Sequence, residues 1–395
     1  MAVPHFQFAS ALSDAPATSD AIEAVTSQVR GQLEGPVDLA VMFFTPHHRE
    51  RLDVVRKAMK ATLQPRVLLG VTAGGVIGVT KELETSPGIS LLAARLPGVS
   101  LTPFTMKELE PAINAGPEAI VKAMSPHGQP LRAVVLMADP YSTPITAMIT
   151  ALTQSLPGVP LIGGMASAAR QSGGNRLMLN DTITTSGAIG LAISGNVRVD
   201  CTVSQGCRPI GRPMVITKAQ RNLIMELGGK PALDVARQTI AELSQEDRHL
   251  LEASGMFVGR VINEYKQRFG RGDFLIRGVA GVDPNAGYIA IGDTQVRVGQ
   301  TVQFHVRDQK AAREDFSLLL EAQKLHGNTG GGLLFSCNGR GTHLFTEPNV
   351  DANMIHEALG DLPLAGCFAA GEIGPVGDQN FLHGHTASFA VLRAM

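Results

Sequence analysis

Three times along the chain an apolar run gives way to a stretch with helical spacing, then to a second apolar run that ends in a turn of small residues. The first runs are LAVMFF (39–44), AVVLMA (133–138) and GLLFSC (332–337), each the length of one buried strand. The second runs follow Pro65, Pro160 and Pro363. They close on Gly70-x-x-Ala73-x-Gly75, Gly163-x-x-Ala166-x-Ala168 and Gly366-x-x-Ala369-x-Gly371. Between the paired runs, HHRERLDVVRKAMKAT, PITAMITALTQS and NVDANMIHEALG read as helices, with Thr45-Pro46, Thr143-Pro144 and Asn349 as their starts. A further strand-like segment comes after each turn: ISLLAARL (89–96), AIGLAISG (188–195) and HTASFAVL (385–392). Strands joined by a helical crossover of this length are most simply parallel neighbours with right-handed connections.

The repeat is unevenly spaced. Gly163 lies 93 residues after Gly70, but Gly366 lies 203 after Gly163, so an insertion of about one repeat length separates the second unit from the third. That insertion, 197–320, has its own character: ELGGKPALDVARQTI predicts a turn into a helix, and FLIRGVAG, GYIAIGD and QTVQFHVRD predict short strands. A boundary is expected near residue 210, in GCRPIGRPM, where Gly, Pro and Arg interrupt the apolar pattern. The predicted fold is α/β, with repeated strand-helix-strand units forming mixed sheets in two domains and a β-rich insertion. Two units then fall in the first domain and the third in the second.

A chain of 395 residues is long enough for two cores, and a 44% apolar fraction with 17% charged residues describes an ordered protein. Thirty-four basic residues against thirty-five acidic ones leave no global field to draw in nucleic acid or anionic lipid. Neither is expected as a partner. The four cysteines show no CxxC pair and no zinc-ligand spacing, so no metal, no cofactor and a reducing, cytoplasmic setting are expected. The amino-terminal stretch lacks a basic start and a long apolar core, and no secretory signal is read there. The uncharged run 140–169 could span a bilayer by length alone, but Pro140, Pro144, Pro157 and Pro160 mark it as protein core.

FLIRGVAGVDP, FSCNGRG, GCFAAGEIGP and LHGHTASF give the chain its resemblance to the FIST family, in a FIST N region followed by a FIST C region. The resemblance runs from about residue 35 to the end; it divides the chain into an extension (1–34), a FIST N-like domain (35–210) and a FIST C-like domain (211–395). It implies a sensory module that binds a small molecule such as an amino acid. Neither end leaves room for a signalling segment, so output is expected through a separate protein signalling partner. A ligand in the cleft between the two domains would couple binding to their relative orientation.

The candidate ligand site is the loop Asn338-Gly339-Arg340-Gly341 together with Gly371, Glu372 and His385. The loop follows a strand, where parallel α/β sheets bind ligands. Glu372 is the single acid in LPLAGCFAAGEIGP. Two readings stand for it: a carboxylate accepting backbone N–H groups or capping a helix, and one that faces a ligand. For Arg340 they are a fork gripping an anionic ligand and a salt bridge to Glu372. With both facing a cavity, Arg340 would take the carboxylate of a zwitterion and Glu372 its ammonium. The alternative is an enzyme with Cys337 as nucleophile and His383 or His385 as base, against the bland reading of Cys337 as a packing residue. His47, His48 and Arg49, at a matching strand end, are further candidates for the same cleft.

Overall fold

The computed structural model describes residues 5–293, 296–326 and 330–395, and they form two compact units. The larger takes the chain up to Val203, Ser317–Leu382 and Thr386–Met395, while the smaller takes Ser204–Phe316 with His383–His385. All three repeats lie in the larger unit. The first is β1 (Gln7–Ser13), α1 (Thr18–Arg30), β2 (Leu39–Phe44), α2 (Leu52–Thr62), β3 (Val67–Thr72), the hairpin β4 (Val76–Ile77) and β5 (Glu82–Leu83), and β6 (Ile89–Arg95). The second is β7 (Val99–Thr105), α3 (Met106–Ala115), α4 (Pro117–Met124), β8 (Leu131–Ala138), α5 (Ile145–Ser155), β9 (Leu161–Met165), the hairpin β10 (Leu177–Leu179) and β11 (Thr182–Thr184), and β12 (Ala188–Gly195).

The third repeat opens with β13 (Val197–Gln205), and the chain then enters the smaller unit. There β14 (Cys207–Gln220), β15 (Leu223–Leu227), β16 (Lys230–Pro231), α6 (Ala232–Ala241), α7 (Gln245–Ser254), β17 (Phe257–Val261), β18 (Phe274–Asp283), β19 (Tyr288–Ile291) and β20 (Thr301–Arg307) follow. Their sheet runs β14-β20-β17-β18-β19-β15, and β15 pairs back onto β14, which closes an antiparallel barrel around Ile210, Val258, Ile289 and Phe304. Along α8 (Gln309–Lys324) the chain returns to the larger unit. The third repeat then completes with β21 (Gly331–Cys337), α9 (Val350–Leu359), β22 (Leu364–Ala369), the hairpin β23 (Glu372–Val376) and β24 (Gln379–His383), and β25 (Thr386–Ala394).

Each repeat builds the middle of one six-stranded sheet from its parallel pair: β2 with β3, β8 with β9, β21 with β22. The end of each sheet is borrowed. The orders are β1-β6-β2-β3-β10-β11, β7-β12-β8-β9-β23-β24 and β13-β25-β21-β22-β4-β5, so every hairpin joins the sheet of a different repeat. This cyclic exchange removes three exposed edges and ties the repeats together. Both faces of the central strands are covered, which explains their unbroken apolar runs. Leu39, Val41 and Phe43 enter a cluster shared with Val135, Ile162, Leu333 and Phe335 of the other sheets; Ala40, Met42 and Phe44 meet Val25 of α1 and Val55 and Met59 of α2. Phe43 and Phe335 meet edge to face, 5.6 Å between centroids.

The repeated glycine is there because the parallel partner strand comes close. Gly163 has φ +150°, and a Cβ there would stand 1.8 Å from the Leu136 carbonyl oxygen. No other residue fits.

Several expectations change. The compact division follows the repeats rather than a linear boundary near 210, because the exchanged hairpins bind the third repeat to the first two. The supposed extension supplies β1 and α1 of the first repeat, its first four residues lying outside the described ones. Thr45 and Asn349 hold the N-cap positions expected of them and Thr143 lies one residue before its own, but none of the three side chains makes a capping bond. They make tertiary bonds instead: Gly88 N–H donates to Thr45 Oγ1 (2.8 Å), Thr143 donates to the Gly187 carbonyl (2.8 Å), and Glu82 N–H donates to Asn349 Oδ1 (2.7 Å). Among the described residues no helix is long and apolar enough to cross a membrane, and the uncharged run 140–169 holds α5 and β9.

Candidate functional site

Just past the carboxyl ends of their second parallel strands, the three repeats place Gly74, Ser167 and Ala370 around one cavity of about 410 Å³. Ser167 knits all three repeats together. Its N–H donates to the Thr72 carbonyl (3.3 Å), its Oγ accepts from Gly74 N–H (2.8 Å), and its hydroxyl donates to the Phe368 carbonyl (2.5 Å). Small residues are required here: a Cβ on Gly75 would meet the Leu83 carbonyl at 2.6 Å and the Phe368 ring at 2.8 Å.

The rest of the wall comes from the loops beyond. Tyr141 donates its hydroxyl to the Ala169 carbonyl (3.2 Å). Glu84 accepts from Thr342 N–H (2.9 Å) and its hydroxyl (2.7 Å), with His343 Nδ1 at 3.8 Å. Gly341, at φ +53°, makes room for that carboxylate, since a Cβ there would lie 2.6 Å from the Glu84 carboxyl carbon. Arg170, Asn338 and Phe368 complete the wall.

Of the candidate ligand-site residues named from the sequence, Asn338 alone lines this cavity. Gly339 donates its N–H to Cys337 Sγ (3.4 Å), and Gly371, at φ +145°, accepts Met165 N–H at its carbonyl (2.9 Å). The two readings of Arg340 give way to a third. Its guanidinium is wholly buried in a two-pronged pair with Asp351, Nε to Oδ2 at 2.8 Å and Nη2 to Oδ1 at 2.7 Å, and lies over the Phe345 ring. Burial works against that charge, yet the Asp351 carboxylate outweighs it and holds the guanidinium above its ordinary value. Ser336 donates to the same carboxylate (2.8 Å), so Asp351, on the first turn of α9, is the partner the sequence reading missed.

Glu372 is also fully buried, and Thr386 donates both its N–H (3.1 Å) and its hydroxyl (2.8 Å) to Oε2. This is the acceptor geometry rather than the ligand-facing one. Burial pushes its pKa up to about 8 despite those bonds, which disfavours the charged form an ammonium would need. The Cys337 thiol adjoins the same carboxyl. Glu82, which accepts Ala352 N–H at the start of α9 (2.9 Å), is likewise raised, first by burial and then by Asp351.

His383 and His385 group with the smaller unit, whereas Cys337 belongs to the larger. The His385 ring packs edge to face on Phe257, and burial pulls its pKa down to about 4, a weak base. His47 bonds to Thr45 and buried His48 to Thr18, while Arg49 pairs with Glu50; none of the three lines the cavity. Among the described residues no cluster of three or more His, Cys, Asp or Glu could hold a metal. Most of the cavity residues missed from sequence sit on loops, and the one signal lies in MASAAR: Ser167, a hydroxyl where the other turns have Gly74 and Ala370.

The fold and site define a three-repeat α/β protein with a cavity where the repeats meet. The chain belongs to the FIST family: the FIST N domain matches residues 38–230 and the FIST C domain residues 232–375. Relatives include an uncharacterized protein of Mycobacterium tuberculosis, 38% identical over 383 residues (96% of this chain, 98% of the relative). Another, of Mycobacterium bovis, is 38% identical over 374 residues (94% of each). Among solved structures, a cyanuric acid hydrolase aligns over 99% of this chain and 100% of its own at 11% identity and TM-score 0.33, a likeness too slight to bear on fold or function.

Proposed function

We propose that the protein is a small-molecule sensor whose ligand occupies the three-repeat cavity and whose output passes through a protein partner. The observation that carries this reading is the composition of the wall. Gly74, Glu84 and Ser167 come from the FIST N segment, and Asn338, His343 and Phe368 from the FIST C segment. A ligand touching both would bind only when they are assembled. A concave, partly apolar site with a few convergent polar groups is the usual form of a small-molecule pocket. The family points the same way.

Filling the cavity is the direct test. Gly74→Leu directs its side chain toward Asn338 Oδ1, 3.2 Å from the added Cβ. A metabolite that raises the melting temperature of the native protein by mass action should give no shift with the variant. An unchanged shift would place binding elsewhere.

A thiol enzyme is the second reading, favoured only by the Cys337 thiol beside Glu372. Burial disfavours the charged form of that carboxyl, which makes it a poor acceptor for the thiol proton, and Cys337 is 9% exposed. Maleimide should therefore label Cys337 slowly in the folded protein. Rapid labelling at that residue alone would favour the enzyme.

A further inference from the structure

The proposed ligand cavity sits in a threefold frame, yet its polar groups are not threefold. Aligned by strand register, Met42 faces Gly70, Leu136 faces Gly163 and Leu334 faces Gly366. Four residues beyond these partners stand Pro46, Pro140 and Asn338. Two repeats thus present a ring with no donor, and the third presents a carboxamide.

The wall's other hydrogen-bonding groups are largely committed. Ser167 both donates and accepts, the Tyr141 hydroxyl is given to Ala169, and the Glu84 carboxylate is held by Thr342 with His343 beside it. Among the described residues, two wall side chains have no hydrogen-bond or ion-pair partner, Asn338 and Arg170. An unpaired surface arginine alone would be ordinary. Here it shares a wall with an unpaired amide, while the one wall carboxylate is already met by Thr342 and His343. Arg170 is thus the wall arginine that no carboxylate pairs among the described residues.

We propose that this cavity selects a small organic monocarboxylate, its oxygens shared between the Arg170 guanidinium and the Asn338 amide. The proposal rests on the ligand-cavity reading and adds the chemical class. A guanidinium fork matches a carboxylate's two oxygens, and a single free cation balances one negative charge rather than the two of a phosphate. The apolar surfaces of Phe368, Ala169 and Ala370 suit the organic remainder.

The test is a thermal-shift and calorimetric panel of small monocarboxylic acids, each paired with its primary amide, with inorganic phosphate alongside. Native protein, Arg170→Ala, Asn338→Ala and Gly74→Leu are compared. The expected result is stabilisation by one or more acids but not by their amides. Affinity should fall roughly ten- to a hundredfold in Arg170→Ala and less in Asn338→Ala, the loss of one charge-assisted contact. Arg170 is exposed, so the unliganded melting temperature should hold. Amides binding as well as acids, phosphate binding better than any acid, or no acid binding at all would each overturn the proposal. Affinity lost in Gly74→Leu but kept in Arg170→Ala would overturn the anion assignment and leave the cavity reading standing. Binding indifferent to both variants would end both.

Discussion

Asp351→Ala lowers the melting temperature by roughly 10 °C, the result expected when a buried guanidinium loses its two-pronged carboxylate pair at a cost of about 3–5 kcal/mol. Arg340 and Asp351 are both 0% exposed, and their two bonds are short and parallel. Arginine cannot escape by giving up its proton. The Ser336 hydroxyl also loses its acceptor. Partial rescue is expected from Glu82, whose carboxyl is raised by Asp351 and lowered by Arg340. Without Asp351 it ionises at lower pH and can take up part of the pairing, so the penalty should shrink from pH 6 to pH 9. Replacing both partners, Arg340→Met with Asp351→Leu, should cost much less than Asp351→Ala because no charge is stranded. Thermal unfolding of the three proteins at several pH values decides it, and a drop of under 2 °C for Asp351→Ala would mean that the pair does not hold the third repeat together.

Much of the larger unit's buried charge lies in the third repeat. Three residues past Met42, Leu136 and Leu334 stand Thr45, Asp139 and Cys337. In the borrowed hairpins, the residue paired beside the repeated glycine is Val76, Leu177 or Glu372. The first two are plain core. Only the third repeat buries an acid there, and the same repeat supplies the buried ion pair and the Asn338 carboxamide. A common frame gives the stability, and the cavity wall draws its polar groups unequally from the three repeats, Glu84 from the first, Ser167 and Arg170 from the second and Asn338 from the third.

Much of this frame was legible in the chain. The strand runs, the Gly-x-x-Ala turns and the insertion follow from periodicity and from steric need, since only glycine survives the approach at Gly163. The hairpin exchange was not legible, because alternation in VI, LML or EIGPV says that a strand exists and not which sheet it joins. The partner of Arg340 was missed for a related reason. Glu372 was the nearer-looking acid, yet Asp351 lies among the buried positions Val350, Ala352 and Ile355 of α9. Asking which cation balances an acid on that apolar face would have found the pair. Arg170 and Tyr141 sit on loops whose placement no pattern fixes.

Glu372→Gln should make stability markedly less dependent on pH. In the folded protein the carboxyl keeps its proton up to about pH 8, while in the unfolded chain it releases it near 4.5. The folded state therefore binds the extra proton between those values, and stability must fall as pH rises through that window and then level off. Below 4.5 the residue contributes no difference. Each pKa unit is about 1.4 kcal/mol, so even half of the shift makes the loss about 2–3 kcal/mol at pH 8.5. Glutamine keeps the shape of the protonated acid: its amide oxygen can accept both Thr386 bonds and its NH₂ can face the Cys337 thiol. Native and variant proteins should melt together near pH 5 and diverge in the variant's favour by several degrees at pH 8.5. Glu82 contributes a similar slope to both, so the difference isolates Glu372. Parallel curves across that range would show that the carboxyl is ionised in the fold and has a countercharge at hand, which would revive it as a ligand-facing group.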